Sequence, residues 1–130
     1  MKRVTLTCLV LFIGIFLATA ALAAADKAAI QKQVDEIVAA IDGGKTADDF
    51  KDAAKSEPYY VFIMQEDGNL LVHPSLEGKS LKEEAEVVYN AVVKGTPEGS
   101  WVDYEWKGKM KHTYVKKTAS GLLVGSGYSD

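Results

Sequence analysis

The sequence is poor in the restraints that hold many small exported domains. Of its 130 residues only Cys8 is a cysteine, and it lies inside an apolar N-terminal run. No other thiol follows, so the rest of the chain forms no disulfide even in an oxidising compartment. Prolines are few: Pro58, Pro74 and Pro97 each fall where a periodic segment ends. Histidine is represented by His73 and His112 alone, and no Ser-His-Asp constellation or zinc-ligand spacing is present. The chain is therefore expected not to be an enzyme and to need no cofactor or metal. Asp67-x-Asn69 beside Glu66 hints at calcium, but a calcium loop needs more ligands at a longer spacing. Positive charge is not in excess. At a net charge of −3 the protein has no attraction to nucleic acid or to an anionic membrane surface.

What is present begins with Lys2 and Arg3, the apolar run Val4 to Ala20, and the small residues Ala21 and Ala23. That order is expected of a secretory signal peptide spanning residues 1–23. Cys8 sits too early in the run, behind Leu6 and Thr7, to be a lipoprotein cysteine. Cleavage would leave residues 24–130 as one domain, with no further apolar segment long enough to span a bilayer. Loss of Lys2 and Arg3 carries the net charge from −3 to −5. The expected location is the periplasm or the extracellular space.

The centre of the remaining chain is Tyr59 to Pro74, YYVFIMQEDGNLLVHP. Six apolar residues without alternation, Tyr59 to Met64, predict a strand covered on both faces. Asp67-Gly68 supplies a hairpin turn, and Leu70 to Val72 returns as the second strand. Before it, Ile30, Val34, Ile37, Val38 and Ile41 form one stripe of a helix over 26–42, stopped by Gly43-Gly44. Thr46 with Asp49 resembles a capping box for a short helix through Ala54. After the hairpin, Ser80 with Glu83 caps a helix predicted to run from Leu81 to Lys94, its stripe Leu81, Ala85, Val88 and Val92.

The last third reads as sheet. Val102, Tyr104 and Trp106 alternate with Asp103 and Glu105, Lys107-Gly108 turns, and strands follow over 109–118 and 122–128. Gly125 and Gly127 in the last of these point to a bulge or to the close approach of another group. The whole order predicts an α+β fold, with an antiparallel sheet of about five strands, a long N-terminal helix and further helices on its faces, as in a PAS-like domain.

Four separated blocks carry a family resemblance: YVFIMQEDGNLLVHPSLEGKSL, GSWVDYEW, KHTYVKK and GLLVGSGY. In this order they closely resemble the single Cache domain, an extracellular PAS-like sensor module. The resemblance implies a pocket beside the sheet for a small organic molecule, often a carboxylate, and His73 and Lys111 match its His-Pro and K-x-x-Y-V positions. His73 is suited to donate to a carboxylate, and Lys111 to supply a fixed positive charge. Tyr104 is assigned a ligand contact by the same resemblance. Phe62, Met64 and Leu71 are candidate core, with Met64 and Tyr60 also candidate pocket walls, and Trp101 and Trp106 are core or pocket wall. Tyr114 completes the candidate set, although alternation puts it and Lys111 on opposite faces unless the strand bulges.

Cache domains usually sit in chemoreceptors, histidine kinases and cyclic-dinucleotide enzymes. This sequence departs by stopping at Asp130 and by the two-residue connection Lys107-Gly108. The expectation is a stand-alone sensing domain that buffers its ligand or presents it to a membrane receptor or kinase. The alternative is a ligand-free interaction module that docks through an exposed sheet edge or its N-terminal helix.

Overall fold

The computed structural model describes residues 25–130. The apolar N-terminal segment and its cleavage site lie outside the described residues. Nine elements follow in order: α1 (Lys27–Asp42), a 3-10 segment (Ala47–Lys55), β1 (Val61–Met64), β2 (Leu70–Val72), α2 (Leu81–Glu84), α3 (Glu86–Val92), β3 (Ser100–Trp106), β4 (Lys109–Lys117) and β5 (Leu123–Ser129). The fold is α+β, with an antiparallel five-stranded sheet in the order β2-β1-β5-β4-β3.

α1 starts where the Asp26 carboxylate accepts from the Ala29 N–H at 3.0 Å. It ends at Gly43-Gly44, where Gly44 takes a φ of 118°. Ile30, Val34, Ile37, Val38 and Ile41 are its buried residues, as the spacing predicts. They pack on one face of the sheet with Val61, Ile63, Val72, Tyr114 and Val124. The opposite face carries Phe62, Met64, Leu70, Tyr104, Val115 and Leu123, covered by Leu81, Val88 and Val92. β1 is therefore buried on both sides, alternate residues serving two cores. Its regular ladder begins at Val61 rather than at Tyr59. At the turn Gly68 has a φ of 100°, which a residue with a Cβ rarely adopts.

The helix expected over 81–94 is interrupted. Ala85 leaves helical geometry at φ −157° and ψ 78°, separating α2 from α3. Tertiary anchors explain the break. Leu81 N–H donates to the Gly68 carbonyl at 2.8 Å, and Tyr89 Oη donates to the Glu66 carbonyl at 2.7 Å. A straight helix sets residues 81 and 89 about 12 Å apart along its axis. Their two acceptors belong to the same tight turn, so the chain bends to reach both. Good local helix formers, Glu84-Ala85-Glu86, do not prevent this.

The β3–β4 hairpin turns in two residues, Lys107 at φ 53° and Gly108 at φ 81°, the signs a type I′ turn requires. It sets the register so that Trp106 faces Lys109 and Tyr104 faces Lys111. β5 pairs with β4 without interruption from Lys111↔Ser129 to Lys117↔Leu123. Its glycines therefore mark close approach and not a bulge. A Cβ on Gly125 would stand 2.3 Å from Phe62 Cζ, and one on Gly127 would stand 2.1 Å from the His112 carbonyl oxygen.

Candidate functional site

On the face away from α1 a small cleft opens between the sheet and the α2–α3 cover. Tyr60, Phe62, His73, Leu81, Val88, Tyr104 and Trp106 line it. The enclosed volume is about 20 Å3, room for roughly one water molecule. Each wall has a local cause. Phe62 points here because strand alternation sends Val61 and Ile63 to the other core. Tyr104 and Trp106 arrive together by the same period on β3. His73 arrives where Pro74 turns the chain out of β2.

Lys111 stands at the edge of this cleft and is only 7% exposed. Its Nζ donates to Tyr60 Oη at 2.7 Å and lies 4.3 Å from the Tyr60 ring centroid. Among the described residues no carboxylate comes within 4.0 Å of that ammonium. No acidic residue lines the cleft either. A buried ammonium held by a single tyrosine is short of a counter-charge.

His73 is fixed in one tautomer. Its Nδ1 accepts from the backbone N–H groups of Ser75 at 3.0 Å and Leu76 at 2.9 Å. The proton of the neutral ring is thus on Nε2, leaving an N–H donor. Burial first, then the charges of Lys111 and Lys107, push its pKa down to about 4, so the ring is neutral at physiological pH. Tyr60 meets it edge-on at 6.0 Å between ring centroids. Tyr104 Oη shares a 3.0 Å hydrogen bond with Thr113 Oγ1, and burial pushes its pKa up to about 12. The polar inventory is therefore one cation, one neutral imidazole donor and two phenols, set among Phe62, Leu81, Val88 and Trp106. Such a set is complementary to a negative charge attached to a short apolar body.

The structure brings together Tyr60, His73, Tyr104, Trp106 and Lys111. Two other candidates lie elsewhere. Met64 is fully buried in the core beneath the cover and does not line the cleft. Tyr114 is on the α1 face, where its Oη donates to Asp35 at 3.0 Å and its ring leans on Trp101. β4 has no bulge in the ladder it forms with β3, so alternation separates Tyr114 from Lys111. Sequence reasoning missed the contributions of Leu81, Val88 and Phe62, which read as core. It also missed Thr113, which the period of two places beside Lys111 and which holds Tyr104.

Comparison with known proteins agrees with the fold. The family model "Single Cache domain 2" matches residues 5–122. No curated protein matches. Among solved structures, the ligand-binding domain of Mlp24 with asparagine is similar at 16% identity and a TM-score of 0.49, over 65% of this chain and 35% of that one. The present chain thus spans about a third of that structure's length. A methyl-accepting chemotaxis protein from Vibrio parahaemolyticus RIMD 2210633 is similar at 20% identity and a TM-score of 0.49, over 79% of this chain and 87% of that one. With the family match extending across most of its length, the chain belongs to the single Cache domain 2 family.

Proposed function

We propose that the protein is a sensing domain that binds a small organic monocarboxylate in the cleft between the sheet and α2–α3. The observation that carries this reading is Lys111, a buried ammonium whose partner is the phenol of Tyr60 and not a carboxylate. A ligand carboxylate would take that position, with His73 Nε2–H and the Tyr60 hydroxyl as further donors. Trp106, Phe62 and Val88 would receive its hydrocarbon part. Because no acid lines the cleft, the α-ammonium of an amino acid finds no partner there.

The present cleft is far below the ~300–1,000 Å3 of ordinary ligand pockets, so binding widens it. The Ala85 break is the movable part, since it belongs neither to the sheet nor to a regular helix. Export through the N-terminal segment and presentation of the bound ligand to a membrane receptor or kinase complete the proposal.

A thermal-shift screen tests it. Propionate, pyruvate and lactate should raise the melting temperature, while glycine and asparagine at equal concentration should not. A ligand at 100 times its dissociation constant adds about 2.7 kcal/mol of stability. If none of the monocarboxylates stabilises the protein at millimolar concentration, the reading is wrong.

A further inference from the structure

The two edges of the sheet are treated differently. β2 is three residues long, and its outer side is sealed by the chain itself. Leu70 N–H donates to the Lys79 carbonyl at 2.9 Å, and Gly78 N–H donates to the Leu70 carbonyl at 2.8 Å. β3 is seven residues long and pairs with β4 along its whole length. Among the described residues no hydrogen bond reaches the backbone on its other side. That leaves about three outward N–H and C=O pairs in a row.

The side chains along this edge sort by face. Trp101, Asp103 and Glu105 lie on the α1 side, and Val102, Tyr104 and Trp106 on the other. Asp103 is bonded to His112 at 2.7 Å yet remains 65% exposed, and Asp130, just past β5, is bonded to the same histidine. Glu105 is exposed and, among the described residues, in no ion pair. Lys27, over the Trp101 ring at 5.2 Å, is the cation nearest the start of the strand on this side. The outer half of the edge is thus acidic on one face and apolar on the other.

We propose that β3 is a docking edge for an extended segment of a partner protein that alternates basic and apolar residues. Such a strand pairs its backbone with β3, sets Lys or Arg against Asp103 and Glu105, and lays apolar side chains beside Val102 and Trp106. A second copy of this chain does not fit. Antiparallel self-pairing about Asp103 sets the two Asp103 carboxylates opposite each other, and pairing about Tyr104 sets Asp103 opposite Glu105, like charge against like. The proposal is independent of ligand binding in the cleft.

The test uses the purified protein and the blocked peptide acetyl-KVKVKV-amide, with acetyl-KKKVVV-amide and acetyl-EVEVEV-amide for comparison. Binding by the alternating basic peptide should slow hydrogen exchange at outward amides of Ser100–Trp106 and at no other strand. Glu105→Lys should weaken that binding about tenfold. The double variant Asp103→Lys, Glu105→Lys should prefer EVEVEV, with exchange in β1 and β5 reporting that the fold is intact. Equal binding of KKKVVV would overturn the proposal, as would unchanged exchange at β3. So would protection of the outer β3 amides in the free protein, which would mean that residues before α1 already occupy the edge.

Discussion

Replacing Lys111 by methionine separates stability from function. In the ligand-free protein the ammonium is buried, with one charge-assisted hydrogen bond to Tyr60 at 2.7 Å and its ring at 4.3 Å. Those two distances describe one contact with one side chain, worth about 1.5–3 kcal/mol. Against it stands a desolvation cost of several kcal/mol for an ion with no carboxylate within 4.0 Å among the described residues. Methionine fills nearly the same length without that cost, and the half-buried Tyr60 hydroxyl can turn to water. Lys111→Met should therefore leave the ligand-free protein as stable as wild type or about 1–2 kcal/mol more stable. For a domain of this size that is an upward shift of roughly 4–12 °C in melting temperature. Carboxylate affinity should fall by about 2–5 kcal/mol, at least thirtyfold. Calorimetric melting of both proteins, with and without propionate, reads both effects. A variant destabilised by more than about 2 kcal/mol that still binds propionate would refute the reasoning, because Lys111 would then be a structural contact.

The two histidines should respond to pH in opposite senses. His73 is held near 4 in the folded protein, below its unfolded value of 6.5, so the unfolded chain takes up a proton first as pH falls. Its stabilising effect is complete above pH 6.5 and is lost progressively down to about pH 4. After discounting for solvent screening the loss is about 1–2 kcal/mol. His73→Asn keeps an acceptor for the Ser75 and Leu76 amides and should flatten this part of the stability profile in denaturant titrations. His112 is raised by its hydrogen bonds to Asp103 and Asp130, so its contribution is present below 6.5 and fades as pH rises through its folded value. The advantage of wild type over His112→Gln should shrink accordingly between pH 6 and pH 8 in thermal melts. Gly127→Ala should destabilise by about 2–4 kcal/mol in urea unfolding, because its methyl meets the backbone of His112 and Thr113, which cannot give way.

Much of the scaffold was legible because it rests on period and turn chemistry. Six unalternating apolar residues required a strand between two cores, and Val61–Met64 is buried on both sides. The Lys107-Gly108 turn was legible as a tight connection, but that it sets Tyr104 opposite Lys111 is seen only in the assembled hairpin. The same register explains why Tyr114 parts from Lys111. The break at Ala85 was not legible. Local propensity favours an unbroken helix there, and the bend comes from two anchors on a hairpin turn more than ten residues earlier in the chain. Nor could sequence place Lys111 against Tyr60, which lies 51 residues away, or fix the tautomer of His73. Those depend on backbone amides and a facing strand that only the assembled fold brings together.

The central claim is that Lys111 receives a carboxylate. Lysine side-chain NMR during a propionate titration tests it most directly, with Lys111→Met assigning the resonance. The account predicts that the Cε signal of Lys111 shifts and saturates along a single-site isotherm, while Lys109 and Lys116 stay nearly still. Shifts spread over the surface lysines without saturation, or a Lys111 signal that does not move as propionate stabilises the protein, would contradict it.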